Sequence, residues 1–143
     1  MSDFNRFMKQ NKVKKENKKY APTKSLTDEK GKPLEFEFRQ LTSKENEKLR
    51  ESCMYDVQVT GKPGLYRSKL NSSKYVAMMV AESVVCPDLP NKELQDSYGV
   101  KDPVDLLYAL VDNPGEYSEL ADWVNEFQGF SKTLNDKVEE AKN

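Results

Sequence analysis

The chain has 143 residues, 36% of them hydrophobic and 33% charged, with no histidine, two cysteines and a net charge of -1. That size suits one modest domain. The missing histidine removes the commonest general base and metal ligand near neutral pH, which weighs against an enzyme. No apolar run is long enough to cross a membrane.

The near-zero net charge hides a gradient. Residues 1–20 carry seven basic and two acidic side chains, +5; residues 21–80 carry eleven and eight, +3; residues 81–143 carry five and fourteen, -9. Two regions with different jobs are expected. With no export signal at the N-terminus, Cys53 and Cys86 are expected to be reduced thiols in a cytoplasmic protein.

Ser2 is placed to cap a short helix through Lys9, with Phe4, Phe7 and Met8 at i, i+3, i+4 spacing. Residues 11–19, NKVKKENKK, hold one apolar side chain and bury no face. Residues 1–19 therefore read as a basic, poorly ordered arm, and residues 20–143 as the single domain. Tyr20–Thr27 is expected to be a strand, followed by a turn over Asp28–Pro33. Leu34-Glu35-Phe36-Glu37-Phe38-Arg39 alternates apolar and charged, a half-buried strand whose Phe36/Phe38 face needs a covering helix.

Thr42 and Glu45 form a capping box that opens a helix with Leu49 and Cys53 on its buried side, ending near Tyr55. Residues 56–70 read as a second hairpin turning at Gly61-Lys62-Pro63-Gly64. Ser72 or Ser73 is expected to cap the most apolar helix, with Met78 and Met79 as gap fillers and an end at Pro87. A short helix follows over Asn91–Tyr98. Asp102-Pro103 and Asn113-Pro114 each pair a cap residue with a proline at the first helical position. They start two acidic helices, one to Val111 or Asp112 and one from Gly115 to Phe127 that could run on to Ala141. The expected fold is α+β, with a mainly helical C-terminal half and one or two N-terminal β-hairpins.

The carboxylate pairs Asp102/Asp105, Glu116/Glu119 and Asp122/Glu126 lack a basic partner or a metal-loop pattern, so they read as solvated faces. No metal and no cofactor is expected. The apolar residues say more. Val104, Leu107, Tyr108 and Val111 share one side of a helix, and Leu106 and Leu110 another. In the last helix Tyr117, Leu120, Ala121 and Val124 form one stripe; Trp123, Phe127 and Phe130 form a second. One stripe per helix is enough to face a core. The second either completes that core or forms a recognition surface. The candidate partner-binding residues are Leu106, Leu110, Tyr117, Trp123, Phe127 and Phe130.

The order of these blocks carries a resemblance. Phe36-Glu37-Phe38-Arg39-Gln40-Leu41-Thr42-Ser43-Lys44-Glu45 resembles an F-x-x-R-x-L-T-x-K-E opening. Tyr75-Val76-Ala77, Val85-Cys86-Pro87-Asp88-Leu89 and Leu94-Gln95-Asp96-Ser97-Tyr98-Gly99-Val100 follow. Asn113-Pro114-Gly115-Glu116-Tyr117 and Phe127-Gln128-Gly129-Phe130 complete the set. Across residues 34–130 the chain resembles the XkdN-like tail assembly chaperones of contractile-tailed phages and defective prophages in Gram-positive bacteria. Cys86 departs from the expected pattern. The resemblance implies a non-catalytic assembly factor that binds the tape measure protein, keeps its long helices soluble and helps tail tube protein assemble around it. Two other readings compete with it: a nucleic-acid-associated regulator using the basic arm, and a structural virion component. Nucleic acid is not an expected partner, since the -9 half would repel phosphate. A homo-oligomer is compatible with the sequence.

Overall fold

The computed structural model describes residues 3–130. The alternating segment forms strand β2, Phe36–Phe38, with both phenylalanines buried. Its partner on one side is β1, Lys18–Tyr20, antiparallel with Lys18 opposite Phe38. This strand lies earlier than the expected Tyr20–Thr27 and begins inside the expected basic arm. The fifteen residues between β1 and β2 make a wide connection instead of a tight hairpin. Within it the expected turn is present: Asp28 accepts hydrogen bonds from the amides of Lys30 and Lys32, and Gly31 takes positive φ.

The other side of β2 pairs with a strand that sequence reasoning missed. Helix α3, Ser72–Ser83, was expected to continue to Pro87. It stops at Ser83, and Val84–Cys86 turns into β5, antiparallel to β2. Val84 and Val85 are β-branched, and the unpaired edge of β2 offers them backbone partners. The sheet order is β1-β2-β5.

A short helical turn, α1 (Asp3–Arg6), opens the described chain; Ser2, its expected cap, lies outside the described residues. Helix α2, Ser43–Ser52, starts with the Thr42/Glu45 capping box and ends where β3, Met54–Gln58, begins. Strand β3 pairs with β4, Tyr66–Leu70, in a largely exposed hairpin. Helix α3 is capped by Asn71, whose side chain accepts from the Lys74 amide, not by either serine. Helices α4 (Lys92–Ser97), α5 (Pro103–Leu110) and α6 (Pro114–Phe127) follow, capped by Asn91, Asp102 and Asn113. The expected extension towards Ala141 lies outside the described residues. The fold is α+β, as the sequence patterns require.

Helix α3 is the hub. It packs on α2, α5 and α6, and its Ala77, Met79, Val80, Ala81 and Ser83 are buried. The covering helix for the sheet is α6. Its Trp123 ring stacks on Tyr20 at 4.7 Å and 15°, meets Phe38 at 5.0 Å and 60°, and stacks on Phe127 at 5.2 Å. The loop before β2 is tied to the start of α6 by Glu116, whose carboxylate accepts from the Thr23 hydroxyl (2.8 Å) and the Lys24 amide (2.9 Å). No helix among the described residues is long and apolar enough to cross a membrane.

One ion pair gives this frame a pH signature. Arg39 donates from both terminal nitrogens to Glu45, at 3.1 and 2.9 Å, and also reaches Glu82 at 3.3 Å. The Arg39 hydrogen bonds, followed by that from the Thr42 amide, hold the Glu45 carboxyl down at about 2 from its usual 4.5. A depressed folded-state value stabilises the protein above the unfolded value. That contribution is lost as pH falls from about 4.5 towards 2. The pair is solvated, so we expect a loss no greater than about 1 kcal/mol. Urea unfolding at stepped pH should show it in the native chain and not in Glu45→Gln.

Candidate partner-binding groove

Two small residues set the site. Ala77 and Ala81 lie four apart on α3 and leave its surface low between α2 and α5. Lys74, Ala77, Met78, Ala81 and Glu82 follow the i, i+3, i+4, i+7, i+8 rhythm of one helical face. Together with Leu49 of α2, Val84 of β5, Leu89 and Pro90 of the next loop, and Pro103, Val104 and Tyr108 of α5, they line a groove of about 790 Å³. Its apolar surface includes Met78 and Val104, both partly exposed, and Tyr108, which is 44% exposed.

The groove is rimmed by charge. Glu82, Asp88, Asp102 and Asp105 stand against Arg39 and Lys74, and Arg39 is already engaged by Glu45 and Glu82. The balance is negative. The Asp102 carboxylate caps α5 by accepting from the Asp105 amide at 2.8 Å, which holds its pKa below the ordinary value. Asp105 faces that carboxylate; their shared hydrogen bond, and then like-charge repulsion, push its own pKa up. This pair gives the rim an anionic corner at the start of α5.

The six residues nominated from sequence fall in different places. Leu106, Leu110 and Phe127 belong to the buried core. Trp123 is partly buried within the aromatic stack that closes the sheet. Tyr117 is also partly buried, but its ring lies 5.0 Å from that of Tyr108 and its hydroxyl donates to the Tyr108 hydroxyl at 3.4 Å. Burial, then that neighbouring hydroxyl, push its pKa up. Tyr117 therefore continues the groove's aromatic edge onto α6. Phe130 is 42% exposed and lines a second hollow of about 320 Å³ with Lys15, Leu41, Asn46 and Gln128.

Sequence reasoning missed the groove itself. Met78 read as a gap filler, and Val104 and Tyr108 as core. The available signal was the Ala77/Ala81 pair beside Met78 on a helix otherwise crowded with large side chains.

Two proteins of Bacillus subtilis strain 168 align over 144 residues and cover 99% of this chain. The phage-like element PBSX protein XkdN is 30% identical, with 94% of its own length covered. The uncharacterized protein YqbN is 28% identical, with 93% covered. A crystal structure of the protein YqbN shares the fold at a TM-score of 0.74 and 24% identity, over 92% of this chain and 99% of that one. The family model of the phage XkdN-like tail assembly chaperone proteins matches residues 4–142, and this chain belongs to that family.

Proposed function

We propose that this chain acts in the host cytoplasm as a non-catalytic chaperone that holds an amphipathic helix of the tape measure protein in the groove between α2, α3 and α5. The observation that carries this reading is the groove: a small-residue floor, apolar walls and a negative rim. The small buried alanines keep the floor low beneath Met78, Val104 and Tyr108. The apolar walls take a helical stripe, the usual way an amphipathic helix is recognised. The carboxylates favour a client with lysine or arginine beside that stripe. Tyr108 and Tyr117 supply aromatic anchors at the edge, and Phe130 marks a secondary surface for a longer client or for tail tube protein.

The absence of catalysis is supported by the carboxylates' evident structural work. Asp102 caps a helix and Glu116 pins a loop, while the whole chain holds no histidine.

Tyr108→Ala tests the assignment. The side chain is nearly half exposed, so thermal stability should drop by about 1 kcal/mol, the scale of an aromatic pair. Binding of co-expressed tape measure protein should weaken by about 2 kcal/mol or more, as for a buried aromatic anchor. Unchanged capture of the client by a folded Tyr108→Ala chain would place the site elsewhere.

A further inference from the structure

The N-terminal arm carries the complement of the groove. Phe4 and Phe7 are 76% and 87% exposed, and Met8 is exposed beside them. Turn hydrogen bonds from the Phe7 amide to the Phe4 carbonyl and from the Met8 amide to the Asn5 carbonyl set these side chains about one helical turn apart. Arg6, Lys9, Lys12, Lys14 and Lys15 lie within the same stretch of sequence, and residues 3–19 are all exposed. Two phenylalanines on a cationic segment are an apolar anchor that nothing among the described residues covers. The groove is the reverse: apolar inside and anionic at its edge. Among the described residues, none that lines it comes from the arm.

We propose that the arm of one chain seats Phe4 and Phe7 in the groove of a second copy, in reciprocal exchange. This rests on the reading of the groove as a helix-binding site. A second copy fits because each chain offers both surfaces. A two-fold arrangement then covers both grooves and both arms at once, the self-complementary geometry of a closed dimer. The connection from these anchors back to β1 gives reach: the six residues Lys12–Asn17 span up to about 20 Å when extended. In this arrangement the chain occupies its own client site with a mimic of the client, and a client helix must displace the arm.

The test is sedimentation equilibrium of the full chain without client. The native chain should show a concentration-dependent dimer. The dimer should weaken as salt rises from about 0.1 to about 1 M, which cuts the screening length from about 10 to about 3 Å. Phe4→Asp/Phe7→Asp should weaken dimerisation by roughly tenfold or more. So should Asp88→Lys/Asp105→Lys in the groove. An arm carrying Arg6→Glu/Lys9→Glu, mixed with the Asp88→Lys/Asp105→Lys chain, should restore a mixed dimer through its swapped charges. Far-ultraviolet circular dichroism confirms that each variant is folded. A native chain that stays monomeric at every concentration, or an arm variant that dimerises as tightly as the native chain, overturns the proposal. Client capture is read separately. If arm exchange fails while Tyr108→Ala still loses the client, only this inference falls. If dimerisation behaves as stated while Tyr108→Ala keeps the client, the chaperone site lies elsewhere and arm exchange stands. Where both hold, removing the anchors with Phe4→Asp/Phe7→Asp should strengthen client capture.

Discussion

Trp123→Ala is expected to cost about 3–5 kcal/mol of stability, the range for removing a large aromatic from a packed interior. The Trp123 ring is a structural centre, with Tyr20 and Phe127 stacked on it and Phe38 tilted against it. These partners come from β1, α6 and β2, so one truncation loosens the sheet from its covering helix. Tyr20 suffers most, because β1 is an edge strand of only three residues. Urea unfolding with intrinsic fluorescence is unsuitable once the tryptophan is gone, so the midpoint should be followed by circular dichroism. A cost below about 1 kcal/mol would mean that the stack contributes little. Trp123 would then be better read as a partner anchor.

Gln128→Leu is expected to cost about 2–4 kcal/mol through hydrogen bonds alone. The side-chain oxygen of Gln128 accepts from the Leu41 amide at 2.7 Å. Its nitrogen donates to the Arg39 carbonyl at 3.0 Å and to the Ser83 hydroxyl at 2.8 Å. Ser83 in turn donates to the Met79 carbonyl at 2.7 Å. One amide thus ties the end of α6 to the link before α2 and to the last turn of α3. Leucine keeps the volume and removes every bond, leaving partly buried backbone groups without partners at about 1–3 kcal/mol each, partly offset by water. Gln128→Glu separates the two halves of the amide. It keeps the acceptor for Leu41 and sets a carboxylate against the Arg39 carbonyl, so it should also destabilise at neutral pH. A Gln128→Leu chain as stable as the native one would show that water replaces these bonds freely.

What was legible in the sequence was local. The Thr42/Glu45 box and the Asp102-Pro103 and Asn113-Pro114 starts are each settled within four residues, and each stands where the pattern put it. The alternation at 34–39 also marked its strand and the need for a cover. The misses were non-local. Val84–Cys86 reads as more helix until β2 is known to lie beside it, with Glu37 opposite Cys86 across 49 residues of chain. Strand β1 was misplaced for the same reason, since Lys18–Tyr20 looks like solvated arm until Phe36–Phe38 pairs with it. Paired apolar stripes on α5 and α6 could not be divided between core and surface by spacing. Burial of Leu106 and Leu110 and exposure of Tyr108 follow from where α3 lies. The groove needs three helices, a strand and a loop, so no single window of sequence contains it.

The central claim is that a tape measure helix lies in this groove. A photo-reactive amino acid placed singly at position 78 or 108, in cells that co-express the tape measure protein, tests it most directly. Both positions should crosslink to that protein, with the attachment mapped to a predicted amphipathic helix carrying basic flanks. Position 66, on the exposed β3–β4 hairpin, should not. Crosslinks from position 66 with none from 78 or 108 would contradict the account.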